Sequence, residues 1–209
     1  MPVSARERAL SGEDEAVRGV TALDGTTKAR IERAALAVFA RGEMDKATTR
    51  AIAAEAGISE GALYRHYKSK NDIFTDLFFS IHGELGRLIE NAAKENDTVS
   101  DRAAALVRAY CRTADNDWQL FAFHLLSMHR FLPGPEGEPD PVAAAEAITR
   151  DAMAAGEIAP GDPILVTGMA LGAVLQPALH MAYGRLKGPL SAHEEDLVRA
   201  VIAVLNPVA

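Results

Sequence analysis

Apolar residues recur at helical spacing along most of the chain. Ile31, Ala34, Ala35, Val38 and Phe39 fall at i, i+3, i+4, i+7 and i+8, which predicts an amphipathic helix over about residues 27–41, ended by Gly42. Two short helices joined by a tight turn follow within residues 48–70. Thr48 is placed to cap the first, and Ile52, Ala53 and Ala56 line one face of it. Gly57 supplies the left-handed residue that ends that helix, and Ser59 caps the second, whose apolar side is Ile58 and Leu63. The small Ala53 and Gly57, four residues apart, let the two helices cross closely, which is the logic of a helix-turn-helix. Ile73, Phe74 and Leu77 then open another amphipathic helix. Further helices are predicted over about residues 71–94, 100–114, 118–131, 142–155, 162–183 and 191–205. The last opens on S-A-H-E, a capping-box sequence. Residues 133–141, P-G-P-E-G-E-P-D-P, cannot continue a helix and read as a loop. No strand signal appears, so the expected fold class is all-α.

The second short helix is expected to expose Glu60, Gly61, Ala62, Tyr64, Arg65, His66 and Tyr67, with Lys68 and Lys70 just after. A recognition helix presents its first residues to base edges and its other polar groups to phosphates. Gly61 and Ala62 would let it sit deep. Tyr64, His66 and Lys70 can donate to phosphates, and Arg65 is suited to bidentate readout of guanine. Taken alone, the pattern also fits a helical hairpin with an ordinary charged face.

The runs A-R-I-E-R-A-A-L-A-V-F-A-R-G, T-T-R-A-I-A-A-E-A-G-I-S and G-A-L-Y-R-H-Y-K-S-K together resemble the DNA-binding domain of the TetR family of bacterial transcriptional regulators. The resemblance covers roughly residues 27–80. It implies a phosphate contact at Thr48, with Thr49 and Arg50 beside it, and backbone contacts from Tyr64, His66 and Lys70. Arg65 and the segment Ser59, Glu60, Gly61, Ala62 fall where base readout varies between members. Tyr67 stands where phenylalanine is commoner. Glu60 is acidic at the groove end, where it either reads a cytosine amine or repels phosphate.

The net charge of −7 is unusual for a DNA binder until it is divided along the chain. Residues 26–70 hold nine Lys/Arg against five Asp/Glu, a net of +4, whereas residues 71–209 hold ten against nineteen, a net of −9. Positive charge therefore sits on the motif, and the remainder discourages wrapping by other faces. Residues 1–25, of mixed charge, read as a flexible N-terminal extension. The domains expected are that extension, a helix-turn-helix domain over residues 26–72 and a helical ligand-binding and dimerisation domain over residues 73–209. No signal peptide is visible, and no apolar run approaches the ~18 residues of a membrane span, so a cytoplasmic protein without a membrane partner is expected.

The long helix over residues 162–183 is apolar nearly all round, and the last presents Leu197, Val198, Val201, Ile202, Val204 and Leu205. A helix apolar on more than one face needs more than one partner. Central helices of a monomeric bundle satisfy that, and so does a homodimer. The resemblance implies the dimer, through these last two helices, with two recognition helices on a palindromic DNA operator. It also implies a pocket in the C-terminal bundle for a small-molecule inducer of unknown identity. Candidate lining residues are Tyr110, Cys111, Trp118, Phe121, His124, Leu125 and Met128, joined by Gln176, His180 and Tyr183, with Pro177 to bend the long helix. The same residues also describe an ordinary core. His124 and His129 leave a helix in different directions and have no carboxylate or cysteine at ligand spacing, so no metal is expected. A single cysteine excludes an intrachain disulfide. No phosphate loop, nucleophile elbow, carboxylate pair or H-E-x-x-H motif is present, so neither an enzyme nor a cofactor is expected. The expected function is a ligand-responsive transcriptional regulator, read as a repressor. The alternatives are an activator or a dimeric interaction module that binds a protein partner.

Overall fold

The computed structural model describes residues 25–40, 47–134, 137 and 139–206. The expected N-terminal extension up to residue 24, the end of the first helix at Gly42 and the middle of the proline-rich loop lie outside the described residues. Those residues form nine α-helices and one 3₁₀ turn, with no strand among them. The fold class is all-α, as expected.

The helices are α1 (Thr27–Ala40), α2 (Thr49–Glu55), α3 (Glu60–Leu63), α4 (Lys70–Glu95), α5 (Val99–Asn116), α6 (Trp118–Phe131), α7 (Pro141–Ala154), α8 (Pro163–Ala182) and α9 (Glu194–Leu205). Side-chain caps set most of their starts. Thr48, Ser59, Ser69, Thr98, Asp117, Asp140 and Asp162 each accept from a backbone amide of the first turn. Pro141 and Pro163 open α7 and α8, where a missing N–H costs nothing.

Three expectations need correction. Regular helix in α3 ends at Leu63, so Tyr64, Arg65 and His66 lie on a tightened turn. There Arg65 and His66 donate to the carbonyls of Ala62 and Leu63, three residues back. Leu63 and Tyr67, both buried, pull that turn into the core. The S-A-H-E capping box does not form. Residues Leu190–His193 wind as a 3₁₀ turn without a side-chain cap of their own. Their amides are taken instead by Asp115 of α5, which accepts from Leu190 at 2.7 Å and from Ser191 at 3.1 Å. Finally, α8 is long and apolar enough to cross a membrane by length and composition, with an 18-residue window of mean hydropathy 1.5. Its scattered Gly168, Gln176 and Pro177 break the visual run without lowering the average. One of its sides packs against α7 and α9.

Two cores share α6, and α4 runs from the first along the second bundle. The first collects α1, α2, α3 and the start of α4, together with Leu120 and Phe123 of α6. Phe123 meets Phe39 edge-on at 5.0 Å and stacks on Phe74 at 5.8 Å, so one ring joins α1, α4 and α6. Arg33 of α1 adds an ion pair to Asp117 at the start of α6. The second core collects α5, α7, α8 and α9 with Phe121 and Leu125 of α6. The expected division at residue 72 falls inside α4, which runs on from the first core to line the second bundle.

A buried polar contact joins the shared helices. His82 of α4 and His124 of α6 approach at 3.0 Å between Nδ1 and Nε2, and Phe78 stacks on both rings and on Phe131. Burial, and then the proximity of His82, push His124 well below its ordinary pKa. Burial also lowers His82, against the opposing pull of Asp140. Both shifts disfavour the charged ring in the folded chain.

The sign of the resulting pH dependence is fixed. The unfolded chain takes up protons near the ordinary histidine value of 6.5 while the folded chain resists, so stability falls as the pH drops below that value. Urea midpoints measured between about pH 7 and about pH 5 should decline, and His124→Phe, which keeps the ring stack, should flatten the decline. In the first core, Phe123→Ala should cost about 3–5 kcal/mol by urea titration.

Candidate DNA interface and ligand cavity

The helix-turn-helix is built around its turn. Gly57 adopts φ +65°, and Arg30 of α1 reaches over it to donate to the carbonyls of Ala56 at 2.6 Å and Gly57 at 3.3 Å. A Cβ at Gly57 would lie 3.3 Å from that guanidinium, so glycine serves both the dihedral and the clamp. Nothing in the spacing of Arg30 announced this contact.

On the outer surface the structure gathers nearly all the residues expected to meet DNA. Thr48, Arg50, Ser59, Gly61, Tyr64, Arg65, His66 and Lys68 are exposed, and Thr49, Glu60, Ala62 and Lys70 are half-buried around them. Tyr64 is 51% exposed, an unusual position for a large aromatic side chain. Gly61 has nothing within 4 Å of where a Cβ would stand, so no internal contact requires glycine there. Lys70 is the first residue of α4, where its charge adds to the positive end of the helix dipole. An anion docked at that end would relieve the repulsion.

Thr49, Glu60 and Tyr64 form a chain whose direction follows from chemistry. Thr49 Oγ1 donates to Glu60 Oε1 at 2.7 Å, and the Tyr64 hydroxyl lies 3.2 Å from the same threonine oxygen. With the threonine proton committed to the carboxylate, Tyr64 donates to Thr49. Glu60 is thereby held across the α2–α3 junction. That bond restrains the acidic residue whose role the sequence left open.

Tyr67 is corrected. It is 4% exposed, and its hydroxyl donates to Glu32 Oε1 at 2.9 Å, so it is a core residue instead of a surface contact. Burial first, and then the Glu32 charge, raise its pKa and keep the phenol protonated for that bond. Lys28 lies 3.8 Å from the same carboxylate oxygen. The reason is periodicity: Tyr67 stands four residues after the buried Leu63.

Inside the second bundle lies a cavity of about 160 Å³ between α4, α5, α6, α7, α8 and α9. Its wall is almost wholly hydrocarbon, from residues such as Leu85, Leu88, Ile89, Leu106, Ile148 and Leu171. Thr167 donates to Thr149 at 2.8 Å, and Thr149 donates to the Ala145 carbonyl, so this polar pair is satisfied. The remaining polar lining is Tyr110, His82 and His124.

Of the ten residues expected to line a pocket, Tyr110, His124 and Met128 do so. Cys111, Phe121 and Leu125 are buried in the neighbouring core, and Trp118 stacks on Phe121 at 5.6 Å. Burial, chiefly, pushes the Cys111 thiol up to about 12, which leaves it unreactive. Gln176 and Tyr183 are exposed, and His180 is half-buried off the cavity. On α8 the cavity takes Thr167, Ala170, Leu171, Val174 and Leu175, a stripe that leaves Gln176 on the far side. Sequence reading missed His82, although it stands four residues after Phe78 on the apolar stripe of α4. A histidine on such a stripe was the available signal.

The family model for bacterial regulatory proteins of the tetR family matches residues 31–77. The nucleoid occlusion factor SlmA of Pasteurella multocida (strain Pm70) is 44% identical over 55 residues, covering 26% of this chain and 27% of that protein. The fatty acid metabolism regulator protein of Bacillus subtilis (strain 168) is 28% identical over 87 residues, covering 42% of this chain and 45% of that protein. The chain thus spans less than half the length of each of these curated relatives. A crystal structure of the transcriptional regulator FadR from Bacillus subtilis, in complex with stearoyl-CoA, matches with a TM-score of 0.67 and 21% identity, over 85% of this chain and 98% of that one. Residues 31–77 thus match the amino-terminal domain of the tetR family of bacterial regulatory proteins, and the described helices share their fold with that solved FadR structure.

Proposed function

We propose that the chain is a transcriptional repressor that binds a palindromic DNA operator as a homodimer and is released by a small molecule held in the cavity. One observation carries this reading. Helix α4 begins at Lys70, beside the exposed Tyr64, Arg65 and His66, and the same helix supplies His82, Leu85, Leu88 and Ile89 to the cavity. An occupant of the cavity would press on that helix, whose other end lies next to the recognition turn.

DNA contact is assigned to Thr48, Thr49, Arg50, Ser59, Glu60, Gly61, Ala62, Tyr64, Arg65, His66, Lys68 and Lys70, without Tyr67. The dimer is assigned to α8 and α9. The outward face of α8 carries Ile164 and Leu165, each about 60% exposed, and Met169, 49% exposed, beside Gly168 and Gly172. So large an unpaired apolar face calls for a partner, and the glycines let a second helix approach closely. The ligand is assigned a hydrocarbon body, since the wall offers little else. A regulator of fatty acid metabolism and a structure holding stearoyl-CoA among the similar proteins favour that class. Release requires the ligand to prefer the DNA-free state, by about 5.5 kcal/mol for a switch from 99:1 to 1:99.

Selection of duplexes from a randomised library by the full chain should enrich a two-fold symmetric sequence. Sequence-independent binding alone would sink the reading. On the selected site, Lys70→Ala should weaken binding and lower the salt slope by about one unit, whereas Arg65→Ala should relax discrimination at one base pair. Light scattering should find a dimer that Met169→Glu converts to monomer, with loss of binding to the symmetric site. A wild-type monomer would overturn the α8–α9 assignment.

A further inference from the structure

The acidic residue on the recognition element is held by one oxygen, and that limits what it can read. Glu60 Oε1 accepts from Thr49 Oγ1 at 2.7 Å, and the Tyr64 hydroxyl lies 3.2 Å from the same threonine oxygen. The bond spans two capped helices, since Thr48 caps α2 and Ser59 caps α3 on either side of it. Among the described residues the second oxygen of Glu60, Oε2, has no hydrogen-bond or ion-pair partner, and it is not closed off from solvent. Gly61 and Ala62, next along α3, carry no side chain long enough to compete with it.

A carboxylate on a DNA-facing surface is costly beside phosphates unless a donor meets it. It accepts and cannot donate. In the major groove guanine shows acceptors alone and thymine an acceptor beside a methyl group, so neither can supply that donor. The donors there are cytosine N4–H and adenine N6–H. Adenine sets N7 beside its amine, where a carboxylate with no proton would meet a lone pair. Cytosine sets only a C–H beside its amine. One acceptor oxygen held in place therefore favours cytosine over the other three bases.

We propose that Glu60 selects a cytosine in each half-site, accepting through Oε2 from the groove-facing hydrogen of the N4 amine, and that Thr49 is the residue that positions it. This deepens the proposed function and rests on the chain binding a symmetric DNA site through this surface. It turns the internal bond from Thr49 to Glu60 into a determinant of sequence, because the same bond that occupies Oε1 leaves Oε2 as the reader.

The test is selection from a randomised duplex library by the full chain, with wild type and Glu60→Gln in parallel, followed by titration of the selected site. The wild type should enrich a cytosine at one position of each half-site that Glu60→Gln no longer enriches, with the other positions unchanged. Replacing that cytosine in one half-site should weaken the wild type about tenfold and Glu60→Gln by less than about twofold. Thr49→Val should relax the preference at the same position, and Thr49→Ser, which keeps the hydroxyl, should retain it. An unchanged preference in Thr49→Val overturns the positioning role. If Glu60 only repels phosphate, Glu60→Gln strengthens binding to every duplex alike and selects the wild-type sequence, which overturns the inference while the DNA-binding reading stands. Should Glu60→Gln fail to fold, N4-methylcytosine tests the wild type directly, because its methyl group takes the place of the groove-facing hydrogen. Put in turn at each cytosine of one half-site, it should cost about tenfold at one of them, and a loss at none overturns the assignment. A wild type that enriches no symmetric sequence overturns the DNA-binding reading and this inference with it.

Discussion

An α-helix transmits displacement because bending it breaks backbone hydrogen bonds that have no alternative partner in a packed interior. Helix α4 has 26 residues, roughly 39 Å at 1.5 Å per residue, and contains no proline. Its first turns are clamped in the amino-terminal core by Ile73, Phe74, Leu77 and Phe78, all nearly inaccessible. Its later turns face the cavity. Leu85 and Ile89 therefore lie on the same continuous helix that begins at Lys70. The expected boundary at residue 72 lies within the first turn of this helix.

A second strut limits which motions are open. Helix α6 gives Leu120 and Phe123 to the first core and Phe121 and Leu125 to the second. Among its contacts with α4 are Phe74 against Phe123 and His82 against His124. The first contact is apolar and tolerant of small slides. The second is directional, since a hydrogen bond between neutral rings is lost over a few tenths of an ångström. Phe78, stacked on both rings, makes the junction stiff.

Local chemistry was legible in the sequence and long-range pairing was not. Thr48, Ser59 and Asp162 announce their helices because a cap is satisfied within three residues of itself. The surface around Tyr64, Arg65 and His66 was legible because polar residues on a short amphipathic element have one side to go to. Tyr67 was misread because its polar hydroxyl drew attention away from its register with Leu63, and its partner Glu32 is 35 residues distant. Asp115 displaced the capping box for a similar reason, reaching the 3₁₀ turn from 75 residues away. The cavity suffered most. Whether His124 faces the void or Leu125 does depends on how six helices are rotated about their axes, and periodicity identifies an apolar face without naming what it faces.

The exposed apolar face of α8 has its own physical explanation. Its inner stripe, Thr167 to Leu175, closes the cavity, and its outer stripe carries Ile164, Leu165 and Met169. One helix is thus hydrocarbon on two sides for two different reasons, which is why composition alone makes it look like a membrane span. A second copy of the chain laid on the outer stripe would hold α8 as a shared wall, so that pressure from the cavity is resisted on that side and directed toward α4. Under that arrangement dimerisation does more than space two recognition elements. It gives the cavity a rigid back, against which an occupant can push the helix that carries Lys70.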